Sequence, residues 1–188
     1  MSGVVPRVLA CRAFSDRSID RHVVDAILEA ARWTGSARNR QPWHWTMCTS
    51  RADRHAVAAC GYYAGFLTGA PLVAVLSTNR ALGGSDTDFD AGRAAQQFLT
   101  AAHLNGLGAC PATLDPAHAE HLATLLDVPS GWLPAWAIGV GHPAPPPALG
   151  PLAIATGRHP LDEIVTWRPA EQRETPGDVF VSDRRPRG

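Results

Sequence analysis

Lysine does not occur in this chain of 188 residues; all 17 basic side chains are arginine. That excludes a lysine Schiff base and the lysine of a phosphate-cradling P-loop. An anion bound here must be held by guanidinium groups, backbone N–H groups or helix N-termini. Charge of one sign is also missing, because 17 acidic residues balance the 17 arginines. A nucleic-acid binder that works by bulk charge needs a basic face from which counterions are released, so that class is set aside. Cysteine is scarce. Cys11, Cys48, Cys60 and Cys110 form no CxxC pair and no zinc-ribbon spacing. They read as reduced, buried small hydrophobes. No apolar run approaches the length of about 18 residues that a membrane span needs, and the N-terminal stretch is too interrupted for a signal peptide. The expectation is a cytoplasmic protein with no metal and no membrane contact.

What is present suits a folded domain. Hydrophobic residues make up 45% of the chain and charged residues 18%, enough apolar surface to form a packed core. Residues 18–33 place Ile19, Val23, Ile27, Ala30 and Ala31 at three-four spacing and predict a helix, with Asp20 as its cap and Gly35 as its stop. Residues 43–49 alternate large and polar side chains and predict a strand. Residues 52–60 predict a short helix. Residues 72–78 form a nearly continuous apolar run after Pro71, as a strand buried on both faces would. Residues 79–87 read as a polar loop. A long alanine-rich helix is expected over 88–105, ended by Gly106. A short strand running into a turn follows, then a helix over 116–126 with Asp115 as cap and Pro116 in the first turn. A strand over 135–143 and a helical turn over 160–165 complete the set. Helices and strands intermingle without regular βαβ spacing, so the class is α+β or mixed α/β, a central sheet flanked by helices.

The segment 35–43, Gly-Ser-Ala-Arg-Asn-Arg-Gln-Pro-Trp, concentrates polar chemistry between a helix and a strand. Ser36, Asn39 and Gln41 are poor acids and bases. They can read the edge of a polar heterocycle or a phosphate, and loops of this kind present such groups from a rigid scaffold. The same residues also suit a helix cap followed by an Asn turn, and composition does not separate the two.

The order of features resembles the nitroreductase family of flavin enzymes. Those proteins carry an Arg-x-Phe segment, here Arg12-Ala13-Phe14. A helix follows, then a Ser-x-x-Asn-x-Gln-Pro-Trp loop, here 36–43. Later come an alanine-rich helix running into Gly106-Leu107-Gly108, an Ile-Gly segment at 138–139, and Arg158-His159-Pro160-Leu161 with Glu163 and Val165 behind it. The resemblance spans nearly residues 5 to 165. It implies a domain over 1–165, with 166–188 as a polar tail or partner-docking arm. It also implies an intertwined homodimer with FMN at the interface and NAD(P)H as electron donor. The acceptor would be an electron-poor small molecule such as a nitroaromatic or quinone, reached by ping-pong hydride transfer.

On this resemblance Arg12 faces the pyrimidine end of the flavin and stabilises the charge that develops on reduction. Ser36, Arg38, Asn39 and Gln41 contact FMN from the opposite subunit. The turn Pro111-Ala112-Thr113 offers a backbone N–H to flavin N5, and Arg158 binds the phosphate. Tyr62, Tyr63, Phe66 and Phe89 line the substrate pocket or, alternatively, serve as core or interface aromatics. One departure stands out. Where the family usually places a polar phosphate-binding trio, this chain has Val8, Leu9 and Ala10. Each lost charge-assisted hydrogen bond costs about 1.5–3 kcal/mol. This departure, together with the polar tail, motivates one alternative, a weak or non-catalytic flavin-binding relative; the resemblance itself leaves open a second, a flavin oxidase or dehydrogenase acting on a peptide-like or heterocyclic biosynthetic product. His118 and His121 sit three apart on a predicted helix with no third ligand placed, and read as a solvated face.

Overall fold

The computed structural model describes residues 8–145 and 157–168. The chain divides into two compact units, Met1–Pro147 and Ala148–Gly188. The proline-rich stretch after Pro145, Arg7, and residues 169–188 of the predicted tail lie outside the described residues.

The first unit is built on a four-stranded sheet: β1 (Trp43–Cys48), β2 (Leu72–Thr78), β3 (Gly108–Thr113) and β4 (Leu133–Gly141). The spatial order is β1-β2-β4-β3, and each neighbouring pair is antiparallel. This resolves the class to α+β, with helices on both faces of an antiparallel sheet. The central strand β2 is buried at all seven positions, and strand alternation explains why. Leu72 and Ala74 face one apolar cluster, while Val73 and Val75 face the other.

The first cluster joins that face of the sheet to α1 (Arg21–Arg32) and α4 (Thr87–Leu104). Val24, Ile27 and Ala31 of α1 meet Phe98, Ala101 and Ala102 of α4. The alanines let α4 approach closely, and the Trp45 ring stacks on Phe98 with centroids 4.9 Å apart. The second cluster joins the opposite face to α2 (Arg51–Ala59), a 3-10 turn (Gly65–Gly69) and α5 (Ala119–Leu125).

Residues 79–87 depart from the expected loop. They form α3 (Arg80–Gly83) and a 3-10 turn (Gly84–Asp86) that runs into α4. The Asn79 side chain accepts the Leu82 N–H at 2.9 Å and caps the short helix. A single turn is too brief to show a hydrophobic period. Asp20 flanks α1 but its side chain makes no capping bond, and α1 ends at Arg32, before Gly35.

β3 is an edge strand on the side away from β4, and the N-terminal segment lies against its start. Ala10 bridges Ala109 in parallel, and Cys11 N–H donates to the Ala109 carbonyl at 3.0 Å. Gly108 makes this approach feasible: a Cβ there would lie 2.5 Å from Cys11 Sγ. The second unit has a short helix, α6 (Leu161–Ile164), within the predicted turn over 160–165.

Candidate functional site

Just past that approach, a cleft of about 460 Å³ opens between the N-terminal segment, the chain after α2 and the outer edge of β3. Its lining includes Arg12, Tyr62, Tyr63, Phe66, Pro111, Ala112, Thr113 and Asp115. Six of the residues selected from sequence thus converge from three separate segments, with Ala112 as a seventh. The volume lies in the range of small-molecule sites, about 300–1,000 Å³.

Local packing positions each wall. The Arg12 guanidinium lies 6.0 Å from the centroid of the Phe66 ring, within reach of a cation–π contact. Gly61 allows the turn carrying the tyrosines to rest on β3, since a Cβ there would lie 2.7 Å from the Thr113 carbonyl oxygen. The Asp115 N–H donates to the Cys60 carbonyl at 2.7 Å and ties the same turn to the end of β3. Tyr62 and Tyr63 stand exposed at the rim.

Pro111, Ala112 and Thr113 are strand, where a turn was expected. Regular pairing with β4 continues through Thr113 opposite Trp136. In an antiparallel ladder a residue directs its N–H and C=O to the same side, and successive residues alternate. The Ala109 carbonyl faces outward to Cys11, so Pro111 and Thr113 face outward as well. Pro111 has no N–H and is tolerated for that reason on a sheet edge. The outward donor on this wall is therefore the Thr113 N–H. Burial pushes the neighbouring Cys110 thiol up, and the nearby Arg12 charge opposes that shift.

The amide-rich loop does not line this cleft. Its residues Ala37–Asn39 form a 3-10 turn. Arg38, Asn39 and Gln41 all have left-handed backbone, with φ of 52°, 54° and 49°. Three non-glycine residues in that region concentrate strain in one loop, and its bonds over-determine it. The Ser36 hydroxyl accepts the Gln41 N–H at 2.9 Å, and the Gln41 side-chain amide donates to Asn39 Oδ1 at 3.1 Å. Arg40 donates to the Gly83 carbonyl at 3.1 Å. The buried Asp90 of α4 accepts the Ala37 N–H at 2.9 Å and lies 3.5 Å from Arg93. Phe89 lies on this side of the molecule, exposed beneath the Arg93 guanidinium at 5.7 Å. It is not among the lining residues of the cleft that holds the other three aromatics. Arg158 belongs to the second unit, where it is exposed and donates to the Gly157 carbonyl at 2.6 Å.

Val8, Leu9 and Ala10 lie along an adjacent groove of about 360 Å³, together with Leu99, Leu107 and Ala109. Leu9 is 73% exposed. A further cleft, of about 660 Å³, is lined by Arg51, Arg54 and His55 among others and by none of the selected residues. The Arg54 guanidinium there is engaged by the Ala70 and Ser50 carbonyls. Among the described residues no group of three His, Cys, Asp or Glu could hold a metal, and no helix is long and apolar enough to cross a membrane.

Two acids carry more of the site than composition indicated. Asp115 caps the turn Pro116–His118 as expected, accepting the Ala117 N–H at 2.9 Å. It also accepts the Tyr62 hydroxyl at 3.1 Å. The Ala117 N–H, then Tyr62, hold its carboxyl below the usual carboxylate range, while the same bond pushes the Tyr62 hydroxyl up. Asp90 is one of two acids in the first turn of α4, and its 2% exposure and its bond to the Ala37 N–H set it apart.

The nitroreductase family profile matches residues 10–60 and 51–142. A relative from Methanothermobacter thermautotrophicus, designated an NADH dehydrogenase/NAD(P)H nitroreductase, is 28% identical over 140 residues, covering 72% of this chain and 73% of its own. Among solved structures, a protein of Desulfovibrio desulfuricans designated a nitroreductase, in complex with FMN, is 27% identical with a TM-score of 0.71. That match covers 85% of this chain and 91% of the other. A Parabacteroides distasonis protein designated an NADH dehydrogenase/NAD(P)H nitroreductase shares the fold with a TM-score of 0.73 at 22% identity, over 84% of this chain and 92% of its own. With the fold, the ordered motifs and the family profile in agreement, this chain belongs to the nitroreductase family of oxidoreductases.

Proposed function

We propose that this chain binds FMN in the Arg12–Phe66–Thr113 cleft and works as an NAD(P)H-dependent oxidoreductase on electron-poor acceptors such as quinones or nitroaromatics. The observation that carries the reading is the convergence of a cation, an aromatic wall and an outward backbone donor in one cleft of suitable size. That donor set fits a flavin ring. The relative in complex with FMN, at 27% identity, supports the cofactor, and the designation of the Methanothermobacter relative supports the donor.

When bound, FMN supplies the redox chemistry, accepting two electrons from a nicotinamide and passing them to the acceptor. The chain's own residues prepare the cleft for this. Arg12, an exposed residue on the cleft wall, places positive charge where negative charge grows on reduction. The outward Thr113 N–H would be the donor available to flavin N5. Phe66 and the strand edge would supply the walls against which the ring packs. Donor and acceptor use the same opening in turn, a ping-pong cycle.

Ser36, Arg38, Asn39 and Gln41 reach FMN from a second copy of the chain. Their strained, over-determined loop stands away from the cleft of its own subunit, so the site is complete only in a homodimer. Arg158 serves the phosphate. The test is direct. Purified protein should be yellow and dimeric, and its flavin absorbance should bleach under anaerobic NADH or NADPH. Colourless protein that takes up no added FMN defeats the reading.

A second reading, a flavin-binding relative with negligible turnover, is favoured by one observation: Val8, Leu9 and Ala10 bring no polar side chain to the groove they line with Arg12 and His103. Rapid steady-state NAD(P)H oxidation excludes it.

A further inference from the structure

The mouth of the cleft carries a fixed negative charge that the flavin reading leaves unused. Asp115 Oδ1 is held by the Ala117 N–H at 2.9 Å and Oδ2 by the Tyr62 hydroxyl at 3.1 Å. With its own N–H anchored to Cys60, the carboxylate is held at the mouth by these bonds. Its side chain keeps 22% exposure, and His118 faces it at 3.7 Å. Depressed below the usual carboxylate range by those two bonds, it is ionised at neutral pH. Beside it stand two nearly bare rings, Tyr62 at 85% and Tyr63 at 92% exposure. Among the described lining residues, Arg12 and Asp115 carry formal charge.

We infer that Asp115 selects acceptors by charge, and that the acceptors of this site are planar aromatics that are neutral or cationic, with aryl carboxylates and sulfonates disfavoured. The inference rests on the flavin reading, because Arg12 is then committed to the cofactor. The remaining charged side chain of this lining is Asp115, so the charge it turns to the incoming acceptor is negative. The tyrosine faces supply stacking area for a planar ring and a favourable surface for a cation. An anionic substituent instead meets a hydrogen-bonded carboxylate that stays ionised near neutral pH. For partly exposed groups several ångströms apart the effect is modest, about fivefold to tenfold at low ionic strength.

The experiment uses three nitrobenzenes of matched size: 4-nitrobenzoate, 4-nitrobenzyl alcohol and 4-nitrobenzyltrimethylammonium. Dissociation constants come from fluorescence quenching of the FMN-loaded protein without electron donor. kcat/KM comes from the same protein with NADH. Wild type should prefer the cation over the anion by about tenfold in both measurements, and 0.5 M salt should erase most of that ratio. Asp115→Asn keeps the shape, the cap and the tyrosine contact; it should shrink the ratio about fivefold. Tyr62→Phe keeps the charge and should retain at least half of the preference on a logarithmic scale. A wild-type ratio near one, a ratio indifferent to salt, or a ratio unchanged in Asp115→Asn overturns charge selection. If Asp115→Asn does not fold, the salt series on wild type decides. Protein that takes up no flavin overturns the function reading and this inference together, whereas flavin-loaded protein with a flat ratio overturns this inference alone.

Discussion

The carboxylate of Asp90 and the backbone N–H of Ala37 lie 2.9 Å apart, joining positions 53 residues apart in sequence. Asp90 is 2% exposed, and its second oxygen lies 3.5 Å from Arg93. Through this one bond the N-terminus of α4 anchors the loop that carries Ser36, Asn39 and Gln41.

Asp90→Ala should therefore act on stability and on ligand binding together. It leaves the Ala37 N–H without its partner, which costs about 1–3 kcal/mol. A urea titration should show a lower midpoint with an unchanged slope, and FMN affinity should weaken in parallel. Asp90→Asn, which can still accept the N–H, should lose less of both. Equal losses in the two variants count against a specific anchoring bond.

Arg12→Ala should change the redox behaviour of the cofactor more than its retention. Withdrawing one charge-assisted contact worth about 1.5–3 kcal/mol in the reduced state lowers a two-electron midpoint potential by about 30–60 mV. Spectroelectrochemical titration of wild type and variant measures this. A large rise in Kd with an unchanged potential assigns Arg12 to binding alone.

The phosphate is tested by comparing FMN with riboflavin. Wild type should bind FMN more tightly, and Arg158→Ala should bring FMN affinity close to that of riboflavin while leaving riboflavin unaffected. Because Val8, Leu9 and Ala10 supply no polar side chain, the gap should be narrow, about one to two orders of magnitude. If Arg158→Ala preserves the gap, the phosphate is held by other groups.

The cysteines should differ sharply in reactivity. Burial, and secondarily Asp53, push the Cys48 thiol up to about 11, and Cys60 and Cys110 are raised too. Raising a thiol pKa above the working pH removes thiolate, the reactive form, so at pH 8 roughly a thousandth of Cys48 is available. Cys11 is the one cysteine that is not buried. A thiol-exchange assay on native protein at pH 8 should label Cys11 first, and all four together after denaturation. Native labelling of Cys48 as fast as Cys11 contradicts the packing of that face.

Much of this architecture is readable from local pattern. The unbroken run 72–78 coincides with β2, and Asp115 caps the next helical turn as its position predicts. α4 begins and ends within a residue of its alanine-rich stretch. Periodicity and capping are properties of neighbours in sequence, so they are visible there. The single-turn helix at Arg80–Gly83 is too short to leave that trace. The strand state of Pro111–Thr113 was hidden for a different reason. A proline beside small residues looks like a turn until a partner strand is known, and that partner, β4, lies some twenty residues further on.

From the order of residues alone came the family, the element sequence, the absence of lysine chemistry and the choice of Arg12, Phe66 and Thr113. Those follow from side-chain identity and short spacing. Folding alone decided that Tyr62 meets Asp115, that Phe89 parts from the other aromatics, and that the amide loop turns away from its own cleft. Such facts depend on which distant segments share a face of the sheet, and that is set by burying both sides of β2 at once.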